Sequence, residues 1–187
     1  MSEGSDSVDG GGAAFLRAAI DRARRQKALA EAAMAQLDWS RIRRRLDEHT
    51  NSIAVIAKHL AGNLRSRWTN FMTSDGEKLG RDRDQEFVDD FPDREAMLAT
   101  WEDGWRRMLD TLAALTPADL TKPVFIRGVE HTVAEAIVRS IEHNGYHIGQ
   151  IVILARHWAG NDWKTLTIAP GGSAEYNRRH WGRSGRR

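Results

Sequence analysis

The stretch NSIAVIAKHLAGNLRSRWTNF, residues 51–71, decides the fold. Ile53, Ile56, Ala57, Leu60, Leu64, Trp68 and Phe71 recur at i, i+3, i+4 and i+7. With 3.6 residues per turn, that interval places them on one face of a helix. Asn51 or Ser52 supplies a side-chain oxygen to cap the first free N–H groups. The helix is expected to end near TSDGE, residues 73–77, where Gly76 and its Ser and Asp neighbours break the period. One apolar stripe cannot bury itself, so the rest of the chain must supply partners.

Three further helices are predicted. Ala13 to Leu37 is rich in Ala, Leu, Arg, Lys, Gln and Glu, with no Gly or Pro. After a connector at 38–51 and the helix just described, residues 75–95 are dense in charge. They are expected to form a surface loop pinned by Phe87, Val88 and Phe91. Asp93 to Leu115 carries Met97, Trp101, Trp105, Met108 and Leu112 at helical spacing. KPVFIRGVEHT, residues 122–132, changes to a period of two around Arg127–Gly128 and predicts a small hairpin. The last long helix is expected from Thr132 to Ala159, stopped by Gly160 and Asn161. The expected fold is therefore all-α: a four-helix bundle with a long connection between helices 2 and 3 and a small β-hairpin before helix 4. The expected division is a disordered tail at 1–12, a bundle domain at 13–170 and a basic tail at 171–187.

Composition narrows the function. The 187 residues include no cysteine, which removes disulfides, zinc–thiolate sites and cysteine nucleophiles together. MSEGSDSVDGGGAA, residues 1–14, has neither the basic nor the apolar region of a signal peptide. No apolar run approaches the ~20 residues of a membrane span. A cytoplasmic protein without a membrane partner is expected. The net charge is only +2, and much of the basic excess sits in NRRHWGRSGRR at the C-terminus. Nucleic acid is therefore expected to bind only weakly, through that tail. No P-loop, dinucleotide fingerprint or Ser/His/Asp motif competes for the chemistry.

Seven histidines are present. His143 and His147, in HNGYHIGQIV, stand four residues apart on the last long helix, so their imidazoles face the same way and can share a ligand. No glutamate follows the first, so the zinc-protease helix motif is absent. The competing reading is two polar residues on a helix flank. At ~100° per residue, His59 lies about 120° from the centre of its helix's stripe, and His143 and His147 about 80–120° from theirs. Such flanks suit the mouth of a cleft between helices. Three neutral imidazoles leave positions open for water or substrate, as in catalytic metal sites. Gly145 and Gly149 clear space either for a neighbouring helix or for a ligand. His131 is either a group near the site or an exposed strand residue.

NSIAVIAKHLAGNLRSRWTNFMTSDGEK, RDRDQEF, IRGVEHTVAEAI and HNGYHIGQIVILA, in that order, resemble the DUF1572 branch of the DinB/YfiT-like metalloenzyme superfamily. The resemblance spans about residues 13 to 170. It implies a four-helix bundle with a three-histidine metal site, carried here by His59, His143 and His147. A divalent cation (Zn, Ni, Fe or Mn) and a small-molecule substrate go with such a site, and separately the Trp and Met faces of the helices point to a homodimer. Among relatives are S-transferases that use a low-molecular-weight thiol as cosubstrate, isomerases and hydrolases. Asn63, Gln150, Arg65 and His131 are candidates for ligand-supporting or substrate contacts. The alternative is a non-catalytic metal-binding or stress-response bundle acting through a protein or nucleic-acid partner.

Overall fold

The computed structural model describes residues 3–181. Among the described residues the chain is mostly helical, with six α-helices and one two-stranded antiparallel sheet. The order is α1 (Glu3–Met34), α2 (Trp39–Ile42), α3 (Ile53–Trp68), α4 (Arg94–Ala114), β1 (Pro123–Ile126), β2 (Val129–Thr132), α5 (Val133–Ala159) and α6 (Ser173–His180). Helix α1 packs against α4 and α5, and α3 packs against the same two. Ile53, Leu60, Leu64, Met97, Trp101, Trp105, Met108, Leu112, Ile137 and Ile151 fill the space between them and are fully buried. Those of α3 and α4 are the stripe residues that the helical period singles out.

The helix ends follow local chemistry. Ser52 caps α3 by accepting from the Val55 N–H, and Asp93 caps α4 by accepting from the Ala96 N–H. Thr132 and Glu135 form a reciprocal capping box at the start of α5. In the hairpin, Ile126 pairs with Val129, leaving Arg127 and Gly128 as a two-residue turn with φ of 57° and 73°. Positive φ at both positions matches the twist of paired strands. Asp75 secures the turn by accepting from the backbone N–H groups of Arg127 (2.8 Å) and Gly128 (2.7 Å). The chain after α3 is thereby tied to the hairpin.

Three segments carry structure that the sequence does not announce. Helix α1 begins at Glu3, where the sequence suggests a disordered segment through residue 12. Gly12 packs so closely on the turn after α4 that a Cβ there would stand 2.7 Å from Pro117 Cβ, a tertiary contact that overrides glycine's poor helix propensity. The segment read as a basic tail contains α6, where Glu175 pairs with Arg178 and Arg179. Arg183, Arg186 and Arg187 lie outside the described residues. In the charged connection, Phe87 and Val88 are exposed. Phe91 is a buried pin, and the other is Glu86, a carboxylate only 7% exposed.

Gly104 marks the closest approach of α3 and α4, since a Cβ there would lie 2.8 Å from Ala61 Cα and 2.9 Å from its carbonyl oxygen. Gly104→Ala should therefore destabilise by about 1–3 kcal/mol through overpacking, despite a helix-propensity gain of ~1 kcal/mol. Urea denaturation would show a lower midpoint; a higher one would contradict this packing.

Candidate metal centre

Helix α5 buries Ile137, Ile148, Ile151 and Leu154 on its core side and carries His143 and His147 along the edge of that face. The pair meets His59 of α3. Ring centroids are 5.4 Å apart for His59–His143, 4.8 Å for His59–His147 and 4.7 Å for His143–His147. One ring nitrogen from each lies within 4.8 Å of those of the other two. Among the described residues, no other three histidine or carboxylate side chains converge in this way. The helical i, i+4 spacing sets the pair; only packing of α3 beside α5 brings the third.

His59 is buried, and its Nδ1–H donates to Glu86 Oε2 at 3.0 Å. Arg81 grips the same carboxylate from the other side, Nε to Oε1 and Nη2 to Oε2, both at 2.7 Å. The connection between α3 and α4 therefore folds back onto α3 through a 3₁₀ turn at Gln85–Phe87. Gly62, three residues after His59, makes this possible, because a Cβ there would fall on the Glu86 carboxylate. Phe87 stacks on the His59 ring at 4.7 Å. Hydrogen-bonded carboxylates of this kind fix the tautomer and orientation of a ligating histidine and raise its basicity.

Tautomers follow from these partners. With Nδ1–H held by Glu86, the neutral His59 ring has its lone pair on Nε2. His147 donates Nδ1–H to Gln150 Oε1 at 2.8 Å, which leaves it the same free nitrogen. His143 Nδ1 is buried with no hydrogen-bond partner, an orphan that needs an explanation. Burial, with help from the His147 and His59 charges, pushes the His143 pKa down to about 4. Burial also lowers that of His147, against the pull of Gln150. Burial alone would raise the Glu86 carboxyl, but hydrogen bonds from His59 and Arg81 outweigh it and hold the group below its ordinary value. Neutral imidazoles beside an anchored anion are the state a divalent cation binds.

His59 and His143 open onto a cleft of about 410 Å³. Asn63 and Tyr146 line it beside the histidines. Trp68, Phe71, Phe125 and Ile126 form an apolar floor, and Arg67, Arg83, Arg127 and Arg139 lie around it. Of the sequence candidates, Asn63 lines this cleft and Gln150 orients His147. Arg65 is exposed and does not line it, whereas Arg67 does. His131 sits on β2 with its Nδ1 3.0 Å from the Val129 carbonyl oxygen, away from the cleft lining. Gly145 makes room for a helix rather than a ligand: a Cβ would meet Gln26 of α1 at 3.3 Å. Nothing in the structure accounts for Gly149. Glu86 and Arg81 escaped the sequence reading. The signal was Gly62, a glycine within an apolar helix one turn past a histidine.

A model of the family described as "Protein of unknown function (DUF1572)" matches residues 11–172. The chain belongs to the DUF1572 family. No curated protein matches it in sequence. The matched region takes in all three histidines, Glu86, Arg81 and the whole of the cleft lining.

The lowered pKa of His143 bears on the stability of this DUF1572 chain in metal-free solution. The unfolded chain, with its histidine near 6.5, binds a proton that the folded chain refuses until about pH 4. Stability should fall as pH drops from 6.5 towards 4, and His143→Gln should flatten that slope. Urea midpoints measured across this window in chelator-treated protein give the answer; equal slopes in both proteins would contradict the assignment.

Proposed function

We propose that the chain is a divalent-metal-dependent enzyme with the DinB-like four-helix bundle, acting on a small molecule as a transferase or hydrolase. The bundle reading is supported by α1, α3, α4 and α5, each of which packs against two of the others. One observation carries the functional reading. Three imidazoles converge beside an open cleft, one anchored by a buried carboxylate and another leaving a buried nitrogen without any partner.

His59, His143 and His147 would hold the cation. A bound Zn, Ni, Fe or Mn ion supplies Lewis acidity and lowers the pKa of a coordinated water or thiol. The residues around it do the rest. Glu86 keeps His59 in one tautomer and Arg81 keeps Glu86 ionised. Gln150 holds the His147 ring, and Phe87 covers the outer side of His59. Asn63 and Tyr146 present polar groups at the cleft wall, where they can orient a substrate. A low-molecular-weight thiol or water is the nucleophile this arrangement suits, since the chain has no cysteine of its own.

Untagged protein should carry near-stoichiometric metal by elemental mass spectrometry, and the His59/His143/His147→Ala variant none. Glu86→Gln keeps the shape but not the charge and should weaken metal binding by roughly 10–100-fold. Protein that holds no metal after reconstitution with Zn, Ni, Fe and Mn would overturn the enzyme reading.

A further inference from the structure

We propose that the cleft takes an amphiphilic anion: a small molecule with a carboxylate or phosphate at one end and an apolar body at the other, its head bound by Arg67. Arg67 Nη2 pairs with Glu77 Oε2 at 3.1 Å, and the side chain is only 11% exposed. Its Nη1 is buried with no acceptor, although the residue lines the cleft. A desolvated guanidinium N–H without an acceptor is costly, and an anionic oxygen is the strongest partner it can take. Gly76 makes room for this side chain, since a Cβ there would stand 3.1 Å from Arg67 Cδ.

Charge balance points the same way. Arg127 shares Glu77 with Arg67. Among the described residues no carboxylate lies within ion-pair distance of Arg83 or Arg139. Glu142 is the one carboxylate on the lining. Burial lowers the Arg67 pKa against the pull of Glu77, and the Arg81 and Arg127 charges add to the lowering. A concavity with surplus positive charge and low-dielectric walls concentrates anions. The floor wants the opposite chemistry. Trp68 and Phe71 stack at 4.7 Å, and the indole N–H of Trp68 donates to Ser140 Oγ at 3.3 Å, so it is not free to hold a ligand. Phe125 stands 45% exposed at the hairpin side. A lined volume of this size accepts a small organic molecule.

The inference rests on the enzyme reading in one respect: the occupant is a substrate only if the histidines are the reacting centre. Isothermal titration of untagged, full-length protein with octanoate, octyl phosphate, 1-octanol and octylamine tests it, with metal content measured on the same samples. Octanoate and octyl phosphate should bind at least about tenfold tighter than the alcohol or the amine, as a charge-assisted head contact requires. The tighter of the two names the head group. Arg67→Gln should weaken octanoate by roughly 10–100-fold while leaving 1-octanol unchanged. Arg139→Gln, at an exposed position that cannot unfold the core, should weaken it by a smaller factor. Equal binding of octanoate and 1-octanol by the wild type would overturn the inference whether or not the Arg67 variant folds. So would undiminished octanoate binding by a folded Arg67→Gln. Octanoate bound through Arg67 in a protein that holds no metal would leave this inference standing and remove the enzyme reading. Metal without head-group selectivity would do the reverse.

Discussion

Burying ionised groups costs several kcal/mol per ion unless each meets its partners at close range. The Arg81–Glu86–His59 chain is where this protein meets that condition. Glu86 accepts one hydrogen bond from the imidazole and two from the guanidinium, so the carboxylate is neutralised and held at one position. Much of the local architecture follows from that requirement. The connection between α3 and α4 has to return to α3 to deliver Glu86, and α3 has to offer a glycine at position 62 to receive it. Phe91 seals the connection on its apolar side. A segment that looks like a solvated loop is thus a structural wall of the site.

The same charges extend outward. Arg81 also contacts Glu77, and Glu77 contacts Arg67 and Arg127. One ion-pair network therefore runs from the imidazole cluster to the arginine wall of the cleft. Asp75 fastens this network to the hairpin turn, and Ser66 Oγ donates to the Gly76 carbonyl at 2.8 Å to fasten it to α3. Because several of these groups are buried, solvent screens them weakly and their mutual positions are tightly coupled. The hairpin adds Val124 and Ile126 to the core. Its work is to carry Phe125, Ile126 and Arg127 to the cleft's open side.

Helix α5 divides its circumference among three tasks. One side closes the core with Ile137, Ile148 and Ile151, and Asn144 is fully buried against Met108 of α4. A second side meets α1, where Gln26 donates to the Ile141 carbonyl at 2.9 Å across the space left by Gly145. The edge between core and solvent carries His143 and His147. Imidazole at such an edge is dry enough to stay neutral and open enough to be reached, which a core or a surface position would not allow.

Local chemistry was legible from the residues alone. Composition marked the first long helix and the apolar period the other three, Asn51 or Ser52, Asp93 and Thr132 marked helix starts, and Arg127–Gly128 marked the turn. The i, i+4 rule placed His143 with His147, and flank position pointed to His59. These are short-range facts, carried by 3.6-residue geometry and by side chains that cap their own backbone. Glu86 could not be found that way. In DGEKLGRDRDQEFVDD, residues 75–90, charge suggests solvent, and nothing local distinguishes one carboxylate among many. Nor could spacing separate Arg67 from Arg65, or show that Gly12 holds its segment in a helix against Pro117. Each was decided by which surfaces came together when α3, α4 and α5 packed. Burial, and therefore the energy of a charge, is a property of the assembled fold and not of the residue.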